Sequence, residues 1–92
     1  MSVTATPTIP SAARPAGPLS QSLRGRCYEV VAVLGDDGIA ARLVACGLWA
    51  GARLERLGEA PFGDPLLFRV HGFRLALRAS EAVRVQVVEA VS

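Results

Sequence analysis

Ala60-Pro61-Phe62-Gly63-Asp64-Pro65 decides how this chain reads. Two prolines, a glycine and an acid within six positions exclude the interior of a helix or strand, so the stretch is a shaped connection. Directly after it, Leu66, Phe68 and Val70 alternate with Leu67, Arg69 and His71, the period of a half-buried strand. Pro65 suits the first position of that strand, where a missing N–H costs the ladder least. The loop is rigid and no nucleophile, base or metal cluster accompanies it. The question it raises is one of binding rather than chemistry.

Working outward, residues 52–59 form the strand before the loop, and 73–78 the strand after the turn His71-Gly72-Phe73, which reads as a hairpin. Upstream, Tyr28, Val30, Ala32 and Leu34 alternate with Cys27, Glu29, Val31 and Val33, a first strand that is largely buried. Gly35-Asp36-Asp37-Gly38 ends it, and either aspartate can cap the next element by accepting N–H bonds from a first helical turn. Residues 39–46 read as a short helix with Ile39, Leu43 and Cys46 on one side, and Gly47 stands where a left-handed C-terminal cap is expected. So short a helix cannot hold alone and must lie on the sheet. Leu48-Trp49-Ala50-Gly51 turns the chain, 79–82 suits a single 3₁₀ turn, and the β-branched run 83–88 is the last strand. The expected fold is mainly β: five short strands with one inserted helix, in a small, strongly bent sheet that closes into a barrel and so removes its own edges.

Ninety-two residues make one small domain. Residues 1–18 hold four prolines among Ser, Thr and Ala without apolar periodicity, and read as a disordered tail ahead of a domain over 19–92. They lack the apolar core of a signal peptide, and no apolar run reaches the roughly 18 residues of a membrane span. The expectation is a soluble, cytoplasmic chain without membrane insertion. Cys27 and Cys46 are then reduced, and read as buried thiols acting as small hydrophobes. All ten basic residues are arginine, with neither lysine nor asparagine present, a joint absence that points to codon bias in a GC-rich genome rather than to phosphate recognition. A net charge of +2 gives no strong field for nucleic acid.

No constellation for catalysis stands out. Cys27, Cys46 and His71 are isolated, without the convergent spacing of a metal site. Asp36-Asp37 reads as a helix cap and His71 as a solvated turn residue. A single histidine has no nucleophile in a strained glycine elbow to serve, and without lysine there is no phosphate loop. Neither enzyme, cofactor nor metal is expected. What remains is surface: Leu48, Trp49, Pro61 and Phe62 are bulky apolar groups expected on loops. Either they plug the end of the barrel or, exposed together, they mark a docking site.

Three blocks of residues resemble a known family. Arg42-Leu43 with Gly47, Leu48 and Gly51 is similar to the R-L-x-x-x-G-L-x-x-G element of FeoA proteins. Ala60-Pro61-x-Gly63-Asp64-Pro65 and Leu75-Ala76-Leu77-Arg78-x-x-Glu81-Ala82 resemble that family's A-P-x-G-D-P and L-A-L-R-x-x-E-A elements, in the same order and spacing. The resemblance implies an SH3-like β-barrel with an inserted helical segment. It also implies a cytoplasmic accessory of bacterial ferrous-iron uptake, held near the inner membrane by the GTPase-permease FeoB. Domains of this kind also end iron-dependent repressors, but no helix-turn-helix precedes this one. Mapped onto the blocks, Gly47 caps the helix, Gly51 releases the chain into the second strand, Gly63 lets the loop reverse, and Arg42 lies on the outer side of the helix. Binding to the cytoplasmic part of FeoB is the leading expectation; direct transition-metal sensing and nucleic-acid binding are the alternatives. Self-association is left open.

Overall fold

The computed structural model describes residues 16–90; the expected disorder of residues 1–15 lies outside them. The elements run β1 (Gly17–Pro18), a 3₁₀ turn (Leu19–Gln21), β2 (Cys27–Val33), α1 (Gly38–Ala45), β3 (Arg53–Glu59), β4 (Leu66–Val70), β5 (Phe73–Leu77), α2 (Ala79–Ala82) and β6 (Val85–Glu89). The strands form one antiparallel sheet in the order β1-β6-β2-β3-β4-β5.

Alternation builds its inner face. Leu66, Phe68 and Val70 of β4 point into the core, as do Leu54 of β3 and Val85 and Val87 of β6. Two bulges, at Val30/Ala32 between β2 and β6 and at Arg56/Gly58 between β3 and β4, bend the sheet around that core. Leu19, Leu43 and Leu48 fill its open side from the 3₁₀ turn, from α1 and from the segment after α1. Asp37 starts α1 by accepting the Ala40 N–H at 3.2 Å. A Schellman arrangement ends it: the Gly47 N–H donates to Val44 O (2.9 Å) and the Leu48 N–H to Leu43 O (3.2 Å).

Several expectations are corrected here. The sheet has six strands, because Gly17 and Pro18 pair with Val87 and Gln86, inside the stretch read as tail. The two end strands, β1 and β5, are not hydrogen-bonded to each other, so the bent sheet remains open where closure was expected. β1 is too short to bridge the gap, and Pro18 lacks the N–H a ladder needs. Residues 83–84 form the turn after α2 rather than part of the last strand, their N–H groups donating to Ala79 O and Glu81 O. The helix packs through Ala40 and Leu43 while Ile39 faces outward, a small rotation of the expected apolar face. Cys27 is exposed and Cys46 half-buried, so neither is the fully buried thiol expected; Cys27 opens β2 on its outer face, opposite Glu55.

Candidate functional site

The proline loop is closed by its own backbone. The Gly63 N–H donates to Ala60 O (2.7 Å) and the Ala60 N–H to Pro65 O (3.0 Å), with Gly63 at a φ of 88°. That positive φ is open to glycine at little cost, which is why the reversal falls there. Asp64 fixes the loop from the other side, its Oδ1 accepting the Ala79 N–H at 2.8 Å. On this frame Phe62 stands 97% exposed, with Pro61 exposed beside it. The ring is thus held in water on a hydrogen-bonded loop.

At the other end of β4 lies a second aromatic group. His71 and Gly72 both have positive φ (50° and 83°), the signature of a type I′ turn between β4 and β5. The His71 ring stacks on Trp49 with centroids 4.8 Å apart and lies 6.4 Å from the Phe73 ring. Its Nε2 is 3.1 Å from Gly47 O; a carbonyl only accepts, so Nε2 carries the proton in that bond. Trp49 is 50% exposed and Phe73 46%. His71 is the exposed turn residue expected, and its ring also packs against Trp49.

The four docking candidates therefore divide. Leu48 is fully buried and plugs the core, correcting its assignment to the surface. Trp49, Pro61 and Phe62 are exposed. They do not form one cluster: Phe62 precedes β4 and the Trp49–His71 pair follows it, with the five residues of β4 between them.

The motif residues meet instead at α2. Glu81 accepts the Arg78 N–H at 3.0 Å and pairs with Arg42 of α1, while Asp64 accepts the neighbouring Ala79 N–H. Arg42, Asp64 and Glu81, from three separate blocks, thus hold one four-residue helix in place. Gly47 and Gly51 adopt φ of 103° and 92°, and the Gly51 N–H donates to Val30 O, locking the turn into β3.

Arg56 escaped the sequence reading. It is 7% exposed, and its guanidinium donates to Gly58 O (2.8 Å), Ser22 O (2.7 Å) and Glu59 Oε1 (3.1 Å) while lying over the Phe68 ring. Its signal was there: an arginine at an inward position between Leu54 and Gly58. It ties the 3₁₀ turn to β3 from within the core. Near the start of α1, the Arg84 guanidinium donates to Asp37 at 2.6 Å, and this bond together with that from the Ala40 N–H holds the Asp37 carboxyl below the usual carboxylate range. Among the described residues, no three His, Cys, Asp or Glu side chains converge as metal ligands, and no helix is long and apolar enough to cross a membrane.

The model of the FeoA domain matches residues 17–89, nearly the whole described chain. The chain belongs to the FeoA family. Solved relatives agree: an iron uptake regulatory protein (FeoA) shares 33% identity over 83% of this chain and 100% of its own, with a TM-score of 0.74. FeoA from Chlorobium tepidum is 34% identical over 80% of this chain and 70% of its own (TM-score 0.74). Zinc-complexed FeoA from Stenotrophomonas maltophilia, described as a procaryotic SH3 domain protein, is 36% identical over 76% and 87% (TM-score 0.67). The architecture is accordingly mainly β and SH3-like, as the FeoA motifs implied. A manganese-dependent repressor shares this fold at 20% identity (TM-score 0.75). No curated protein matches the sequence.

Proposed function

We propose that this FeoA protein is a non-enzymatic, cytoplasmic accessory of ferrous-iron uptake that docks on the cytoplasmic part of the FeoB permease and modulates transport. Family membership supports the pathway, and the Stenotrophomonas relative is described as a candidate ferrous iron transport activating factor. The observation that carries the docking mode is Phe62, 97% exposed on a loop held by backbone bonds and by Asp64. A solvated ring on a mobile loop would lose entropy on binding; one already held loses less. Trp49, propped on His71, offers a second contact.

Calorimetric titration with the cognate FeoB cytoplasmic domain tests this. Saturable binding that weakens in Phe62→Ala is expected; no heat at high micromolar concentrations of both proteins would contradict it. Direct metal sensing is the weaker reading. Among the described residues no three His, Cys, Asp or Glu side chains converge, and Asp64 and Glu81 are engaged in holding α2.

A further inference from the structure

The two ends of the sheet differ. β1 is a blunt end, two residues long with a proline that has no N–H to offer. β5 is five residues long, and no strand lies along its outer side. The hairpin fixes which of its backbone groups face outward. Val70 and Phe73 flank the two-residue turn and so exchange both N–H···O bonds. Bonded and non-bonded pairs then alternate: Phe68↔Leu75 and Leu66↔Leu77 are bonded, Arg69↔Arg74 and Leu67↔Ala76 are not. The N–H and C=O groups of Arg74 and Ala76 therefore point away from β4. Both residues are exposed, and among the described residues no backbone bond outside the β4–β5 ladder reaches either.

Charge says what would fit there. On the outer face Glu55, Arg69 and Arg74 stand side by side on β3, β4 and β5. Arg69 reaches back to Glu55 at 3.6 Å. Arg74, last in the row, makes no ion pair among the described residues. A carboxylate on the next strand would complete the row. The edge also joins the two exposed aromatic sites: it starts at Phe73, beside His71, and ends next to Ala79, which Asp64 of the Phe62 loop holds.

We propose that the β5 edge takes up an extended, acidic segment of a partner protein as an added strand, bonded at Arg74 and Ala76 with a carboxylate facing Arg74. This specifies a binding mode and does not depend on the permease being the partner. A second copy fits poorly, because antiparallel pairing of two β5 edges brings two uncompensated Arg74 guanidiniums close together.

The probe is a blocked heptapeptide alternating valine and glutamate, titrated into the ¹⁵N-labelled full chain, with a valine–lysine peptide as control. Shifted, exchange-protected amides at Arg74 and Ala76, with Leu75 protected from the outset, are expected. The lysine peptide should bind roughly tenfold more weakly, and Arg74→Glu should reverse that preference. Ala76→Pro removes an outward N–H without touching the β4 ladder, and should abolish binding while the spectrum stays dispersed. If that variant unfolds, Arg74→Glu decides alone. Equal binding of both peptides, shifts confined to other strands, or protection of the edge by self-association would each overturn the proposal.

Discussion

Two demands meet at Gly47: a φ of 103°, and a His71 ring carbon 2.7 Å from where a Cβ would stand. Alanine there meets left-handed strain and the ring together, so Gly47→Ala should cost roughly 1–3 kcal/mol in chemical denaturation. Adding His71→Ala should recover part of that loss by removing the clash; no recovery would mean the backbone term dominates. Leu48 and Phe62, both apolar residues outside the strands, take opposite courses. Leu48 is sealed in the core, and Leu48→Ala should cost about 2–5 kcal/mol. Phe62→Ala touches nothing the fold depends on and should change stability by under about 0.5 kcal/mol, a contrast the same denaturation series reads directly. A hydrophobic residue in a loop does not itself declare which course it takes. Leu48 is buried because the Schellman bond to Leu43 turns it inward, a consequence of cap geometry that residue type alone does not carry.

At the scale of elements, α2 is too short to hold itself and is assembled by its neighbours. Glu81 supplies both a cap for the Arg78 N–H and the partner of Arg42. Glu81→Ala should therefore cost about 1 kcal/mol or more, whereas Arg42→Ala, which removes the exposed partner and leaves the Glu81 cap in place, should cost less than about 1 kcal/mol. Thermal denaturation of the two variants and their double mutant orders them. α1 carries a pH signature. Asp37 is held below its ordinary range by Arg84 first and the Ala40 N–H second, so its contribution is present above the unfolded value of about 3.9 and is lost as pH falls through the folded one. Amide exchange at Ala40 should accelerate below about pH 4 beyond what the same amide shows in Asp37→Asn. The strands on either side of the proline loop, the α1 caps and the hairpin were legible because alternation, aspartate and glycine are local signals. Arg42–Glu81 and Asp64–Ala79 were not, since each joins residues far apart in sequence.

For the whole molecule, the mainly β, SH3-like class followed from several short alternating runs and three ordered motif blocks. Closure did not follow, because it depends on whether the first and last strands of the sheet meet, and β1 is only two residues long. Trp49 and Phe62 were legible as loop aromatics, but not their separation by the length of β4. The sheet is open, with exposed aromatics at both ends of β4 and an unpaired outer side on β5. The most direct measurement is an NMR titration of the ¹⁵N-labelled chain with the cognate FeoB cytoplasmic domain. Shifts should concentrate at Phe62 and Trp49, and Phe62→Ala should weaken the binding while leaving the spectrum of the free protein dispersed. A spectrum unmoved at high micromolar concentrations of both proteins, or shifts that avoid both aromatics, would contradict the docking account.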